Sequence, residues 1–531
     1  MSNLMSRLKR SAQSAALLAS ASLVPTVASA GEVALKSADG TVNLTGEFVE
    51  FTDDYYVIRT ALGELRISAA RVRCEGDACP TFDTESADLQ FAGSDAMGVG
   101  LMPLLLSGYA SYLDAEASIV ETAQEGQLLA DFISDGGFGD EIGSYLVTAT
   151  STDDAFSALM SGEAQIGMAS RRIVPDEARA LKAEGAGNMI DPNQEHIIAV
   201  DSVVVITHPS NPVSQITMEQ MREIYAGRIS NWSELGGEDM PIQVISRAKD
   251  SGARATFEAS IFEDLEVVHS ESEIIAASNN EMAALVNENP AAIGFVPYAF
   301  QRGAKPMSLV NACGIVSEPD AFSAKTEEYP LERRLYFYNR ADTNNQLADD
   351  FLKYALSEDA DGVIAKAGFI DLGIKRRPQS MEGQRARMLL DPNADAYEAG
   401  VMREMLGQMV DYDRLSTTFR FRTGSSRLDE RGVIDMQRLV DFLEDQPEGT
   451  KIVFVGFTDD VGAFDSNRAL SKNRAAAVAD TLRETAGDRI AHVEIEAAGF
   501  GEVAPAACNA TEKGRSINRR VEVWIEAGMQ G

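Results

Sequence analysis

The run Ile197-Ile198-Ala199-Val200-Asp201-Ser202-Val203-Val204-Val205-Ile206-Thr207 decides the fold class. Its two apolar blocks, rich in β-branched residues, read as a strand buried on both faces, because a strand with one wet face alternates instead. Further on, Thr217 to Gly227 reads as a helix. Thr217 and Gln220 form a capping box, Met218, Met221, Ile224 and Tyr225 make one apolar face, and Gly227 supplies the stop. Strands and helices mix in this way over residues 85–375, which predicts an α/β domain.

Working outward, residues 31–80 carry short alternating runs such as Val33-Ala34-Leu35 and Tyr55-Tyr56-Val57-Ile58, with turns at Asp39-Gly40 and Leu62-Gly63. They read as a small β module. Residues 376–411 follow the basic cluster Lys375-Arg376-Arg377-Pro378 and read as a linker, with a short helix over Val401 to Val410. Residues 412–528 read as a second α/β unit. Thr418 to Phe421, Ile452 to Val455, Val493 to Ile495 and Val521 to Ile525 are its strands, and Met436, Leu439, Val440 and Leu443 mark a helix face.

At the N-terminus, Arg7, Lys9 and Arg10 precede an apolar stretch of small residues, Ala15 to Val27, and Ala28-Ser29-Ala30 fits a small-x-small cleavage site. Residues 1–30 therefore read as a cleavable export signal. The stretch is too short and too rich in Ala and Ser to span a bilayer. Export implies an oxidising compartment, so Cys74 and Cys79 are expected to form a local disulfide closing the β module. Cys313 and Cys508 fall in different expected domains, and their state is left open. With four histidines in 531 residues, no zinc pattern is legible and no cofactor is called for.

The 82 acidic residues against 47 basic ones give a net charge of −35. Such a chain repels nucleic acid, which is excluded as a partner. An anion site in this background has to be made locally, from backbone N–H groups and a few arginines. Three segments have that chemistry. Ala92-Gly93-Ser94-Asp95-Ala96-Met97-Gly98 is a small-residue turn ahead of an apolar helical stretch. Gly162 to Arg172 is a strand ending in Ser170-Arg171-Arg172, with hydroxyls upstream at Ser151 and Thr152. Arg247-Ala248-Lys249-Asp250-Ser251-Gly252-Ala253 opens a helix through Phe257. Helix N-termini and forked guanidinium groups both suit a tetrahedral oxyanion. Each segment alone also reads as an ordinary turn or cap.

Together, and in this order, the three segments resemble the phosphate-binding periplasmic proteins of PstS type. Ile224-Tyr225-Ala226-Gly227-Arg228-Ile229-Ser230-Asn231-Trp232, Ala291 to Tyr298 and Tyr329 to Arg333 extend the resemblance over residues 85–375. It implies a two-lobed periplasmic-binding-protein fold with the ligand in the cleft. The implied phosphate contacts are Ser94, Asp95 and Ala96, then Ser151 or Thr152, Arg171, Arg247, and Ser251, Gly252 and Ala253. Where many members carry an Asp after the strand-end Ser, to accept a hydrogen bond from protonated phosphate, this chain has Arg171. Asp95 or Asp201 is left to supply that acceptor. The family's Thr after Ser-Gly is Ala253 here.

Gly456-Phe457-Thr458-Asp459-Asp460-Val461-Gly462, Asn467 to Val478, Gly499-Phe500-Gly501-Glu502 and Asn518-Arg519-Arg520 closely resemble the OmpA-like domain across residues 412–528. That resemblance implies a peptidoglycan-binding site in which Asp459 takes the ammonium and Arg474 the carboxylate of diaminopimelate. Asn467, Leu470 and Ser471 would shape the pocket, with Arg519 nearby. The expected whole is a non-enzymatic binding protein of the periplasm, associated with cell wall or outer membrane and serving phosphate uptake or sensing. An ABC transporter permease is the implied delivery partner, and an envelope scaffold with weak ligand binding is the competing reading.

Overall fold

The apolar run from Ile197 to Thr207 lies in one strand, Glu195–Thr207, buried at every position. It links two lobes. Its first half, Glu195 to Ser202, pairs antiparallel with Glu332–Asn339, and its second half, Val203 to Thr207, pairs with Ala292–Pro297. One continuous sheet therefore runs through both lobes. In the computed structural model the described residues are 31–528 without 38–41, 53, 83–86, 135–140, 250, 263–272, 344, 380–384, 386–394 and 422–429. The expected export signal, residues 1–30, lies outside the described residues.

The first lobe sets the strands Ile166–Ala169, Leu89–Ser94 and Glu141–Thr150 side by side and parallel. Their carboxyl ends share one edge, and helices start there. Such edges are where α/β sheets place ligands. An aromatic cluster including Phe91, Tyr109, Phe337 and Phe351 fills this lobe. In the second lobe Gln243–Arg247 lies parallel to both Ala292–Pro297 and Ile274–Ala276. There Trp232, Tyr225, Phe257 and Phe295 form the core. The mixed α/β, two-lobed architecture is as expected.

The N-terminal module is a five-stranded antiparallel sheet, and Cys74 and Cys79 are disulfide-bonded. Its apolar face does not close on itself. Val33, Leu35, Tyr56 and Ile58 pack with Val120, Leu129 and Leu146 of the first lobe.

The C-terminal sheet runs in the order Arg376–Pro378, Tyr412–Arg420, Arg520–Glu526, Lys451–Gly456, Glu494–Gly499. Two pieces of the expected linker are built into it. Arg376–Pro378 pairs as its edge strand. The helix Ala396–Gln408 buries Val401, Met402, Met405 and Leu406 against Phe457, Phe500 and Trp524. That apolar spacing is one helix stripe, which needed a sheet face to cover.

The last sheet is joined to the two-lobed body by buried charge. Glu522 is 0% exposed and accepts from Arg385 (2.5 and 3.0 Å), Arg520 (2.8 Å) and the Trp524 indole (3.1 Å). Arg414, 3.2 Å from Glu522, donates across the junction to both oxygens of Glu328 at 2.6 and 3.1 Å. Arg420 bonds Glu327, and Arg377 Nη2 donates to both oxygens of Asp320 at 2.6 and 2.7 Å. On the first lobe, Arg438 reaches Asp361 at 2.9 Å. Cys313 and Cys508, left open by the sequence, form a disulfide across the same junction.

Burial pushes the Glu522 carboxyl up, but Arg385, Arg414 and Arg520 outweigh it and hold the group well below the usual range. Its stabilising contribution is therefore full above that range and is lost as pH falls toward the lowered value. Replacing Glu522 with Gln leaves the buried Arg520 without its carboxylate and takes a partner from Arg385 and from Arg414, which keeps Glu328, so stability should fall by about 3–5 kcal/mol. Denaturant unfolding at neutral pH checks this, and a loss under about 1 kcal/mol would contradict a charge-held junction.

Candidate functional site

Gly93 makes the first corner. Its φ is +132°, and a Cβ there would overlap the Met168 carbonyl of the adjacent strand. The chain can therefore pass close enough for Ser94 to end its strand and start the helix Asp95–Gly100 at the sheet edge. Ser94 is 1% exposed, and its Oγ has no hydrogen-bond partner among the described residues. Asp95 Oδ1 accepts from the Ala96 amide at 2.7 Å.

At the next strand end, Thr152 Oγ1 lies 3.0 Å from Ser170 Oγ and accepts from the Ser170 amide at 3.0 Å. Ser151 instead caps the helix Thr152–Ser161 in a reciprocal box with Asp154. Of this pair, Thr152 is thus the one facing Ser170.

The second lobe closes on these groups. Ser251 caps the helix Gly252–Ile261, whose first amides have no intrahelical acceptor. A Cβ on Gly252 would sit 2.9 Å from Ser170 Oγ and 3.5 Å from Arg333 Nη1. Residues of both lobes and of the connecting strand therefore meet at one point. Arg247, 5% exposed at its strand end, donates to Asn279 and to the Ala277 carbonyl (3.3 Å), and its Nη2 is 3.6 Å from Asp95 Oδ2. Ala253 is buried in the first helical turn.

Arg333 was not among the expected contacts. It faces Asp201 directly across the connecting strands. Its Nε and Nη2 donate to Asp201 Oδ2 at 2.9 and 2.7 Å, while Oδ1 accepts from the Tyr298 amide at 3.1 Å. Asp201 is 0% exposed and both its oxygens are used. Arg333 Nη1, buried, has no partner among the described residues. Arg171, by contrast, is not brought to this cluster. Its guanidinium is held by Glu177 (2.6 and 2.9 Å) and Asp153 (2.5 Å), and lies over the Phe156 ring. The Glu177 bond keeps it firmly protonated. Here Arg171 is an anchored surface group, because carboxylates on the preceding helix (Asp153) and the following one (Glu177) claim it first.

Asp459 lies in the loop three residues past the strand Lys451–Gly456 and is 9% exposed. Its Oδ2 accepts from Arg519 at 2.7 Å. Asn467 donates to the Asp459 carbonyl (3.3 Å) and to Glu502 (2.5 Å), fixing the loop. Ser471 is wholly buried, and its Oγ accepts from the Gly501 amide at 3.0 Å, which is a packing role. Leu470 is 43% exposed beside them. Arg474 lies over the Phe421 ring. Burial and then the Arg519 charge lower its pKa, and Asp459 opposes them. Asp459, Arg474 and Arg519 thus share one field, with Asp459 paired to Arg519 and no carboxylate within ion-pair distance of Arg474 among the described residues.

Residues 122–359 match the PBP superfamily domain model, and residues 420–519 match the OmpA family model. The chain joins a PBP-superfamily domain to an OmpA-family domain. It is similar to the phosphate-binding protein PstS of Bacillus subtilis, at 26% identity over 241 residues, covering 45% of this chain and 75% of that protein. It is also similar to the peptidoglycan-binding protein ArfA of Mycobacterium bovis, at 43% identity over 92 residues. That match covers 17% of this chain and 26% of ArfA. An ABC-type phosphate transport receptor from Vibrio cholerae superposes with a TM-score of 0.39 at 22% identity, over 53% of this chain and 99% of that one. No helix among the described residues is long and apolar enough to cross a membrane.

Proposed function

We propose that the chain captures phosphate, or a closely related tetrahedral oxyanion, in the cleft between its lobes while its C-terminal domain holds peptidoglycan. The observation that carries the first half is the buried Arg333 Nη1, unpartnered among the described residues and aimed at the start of the helix Gly252–Ile261 beside Ser170. An unsatisfied buried guanidinium donor costs free energy unless an acceptor joins it. A tetrahedral oxyanion there accepts from Arg333, Arg247, Ser94, Ser170 and the first amides of that helix. Thr152, Ser251 and Ala253 shape the wall, and Asp201 orients Arg333. Arg171 has no direct part. The similarity to PstS supports phosphate as the ligand.

Asp95 supplies selectivity. Asp201 has no free oxygen, whereas Asp95 Oδ2 stands at the cleft, 3.6 Å from Arg247. A carboxylate there accepts from protonated phosphate and repels sulfate, which has no proton to give at neutral pH.

For the wall, Arg474 takes the carboxylate of diaminopimelate, and the ammonium displaces Arg519 from Asp459. The similarity to ArfA supports this half. The reading places the protein in the envelope after export through residues 1–30, as a binding protein serving phosphate uptake or sensing, with an ABC permease as its delivery partner. It assigns the protein no catalytic step.

Arg247→Ala should weaken phosphate binding about 10- to 100-fold by calorimetry, the loss of one or two charge-assisted bonds. In the same titrations Asp95→Asn should narrow the preference for phosphate over sulfate. Unchanged values in both variants would remove the anion from this cleft. Asp459→Ala should leave the protein in the supernatant when isolated sacculi are pelleted, and full pelleting would move the wall contact elsewhere.

A further inference from the structure

A cavity of about 710 Å³ opens in the C-terminal domain between the helix Ala396–Gln408, the first turns of Phe464–Ala486 and the edge strand Glu494–Gly499. We infer that this cavity is a second wall subsite, which takes the peptide stem adjoining the diaminopimelyl group bound at Asp459 and Arg474. The inference rests on the wall-binding reading and extends it.

Three observations carry it. The first is continuity. Phe500 lines the cavity. The next residue, Gly501, accepts from the Thr458 amide at 2.9 Å, just before Asp459. Glu502 then holds Asn467. The diaminopimelate groups Asn467, Leu470 and Arg474 lie on one flank of the helix Phe464–Ala486, while Asp465, Arg468 and Lys472 reach the cavity from the other. A stem anchored on the first flank would reach the second by passing around the exposed side of the helix.

The second observation is backbone. Glu494 and Phe500 donate their amides inward, to Thr450 (2.8 Å) and Gly456 (3.2 Å). Strand alternation then turns the odd-numbered peptide groups outward. Arg483 Nη2 takes the outward Ile495 carbonyl at 2.9 Å. Ala497, a cavity-lining residue, turns its amide and carbonyl to the same open edge, where no strand pairs among the described residues. Free edge groups of this kind recognise peptide bonds.

The third is the lining. Tyr412 and Val453 give an apolar floor, Glu404 and Arg468 form a bidentate pair at 2.6 and 2.7 Å, and Glu496 and Lys472 present opposite charges at the rim. A wall stem peptide carries both free carboxylates and amines, which matches a rim of both signs better than a purely anionic or apolar ligand would. The helix Ala396–Gln408, which builds one wall, lies before the residues that match the OmpA family model.

The test compares two soluble ligands on the full chain, free meso-diaminopimelate and a disaccharide–tetrapeptide muropeptide. Ala469→Trp fills the cavity from the helix side. It should weaken the muropeptide about tenfold and leave diaminopimelate within about twofold. Lys472→Glu, a surface change that keeps the fold testable, should shift the two ligands in the same unequal way. Asp459→Ala should lose both. Equal affinities for the muropeptide in wild type and in both cavity variants would overturn the subsite, as would a parallel loss of diaminopimelate. Retention of both ligands by Asp459→Ala would instead overturn the wall-binding reading itself.

Discussion

An anion can be held by a chain with 82 acidic residues only where guanidinium groups are kept away from those carboxylates. Everything in the cleft follows from that constraint. Arg247 and Arg333 are buried, and each is positioned by neutral carbonyl or amide oxygens or by one dedicated carboxylate. Arg333 owes its place to register. Cross-strand pairing sets Asp201 opposite it on the two strands that tie the lobes together, so the pair forms wherever those strands form. Burial makes the pairing strong and makes the leftover Nη1 costly.

The same economy of charge governs the junction. Glu522 gathers Arg385, Arg414 and Arg520 in the core of the C-terminal sheet, and Arg414 hands the charge on to Glu328 of the two-lobed body. Arg377, Arg420 and the Cys313–Cys508 disulfide hold the same lobe, while Arg438 holds the other. The C-terminal domain is therefore seated on the two-lobed domain and contacts both lobes.

Much of this was legible in the sequence. The apolar run from Ile197 to Thr207, the capping box at Thr217, and the strand–turn–helix corners at Ser94 and Ser251 are local signals, and local signals survive in a single chain. The Cys74–Cys79 disulfide spans only five residues and reads the same way. What was not legible is what distance in sequence hides. Arg333 looks like any basic strand residue until it is set against Asp201, 132 residues away. Arg171 looked like a ligand group until Glu177 and Asp153 were seen to claim it. Arg376–Pro378 had too few residues to show strand alternation, and Cys313 and Cys508 are 195 residues apart.

The most direct measurement is native mass spectrometry of the full chain purified without added phosphate, followed by calorimetric titration after exhaustive dialysis. The account predicts one tetrahedral oxyanion retained per chain, and a single phosphate site that refills after dialysis. A chain that carries no oxyanion and gives no heat with phosphate or sulfate would contradict it.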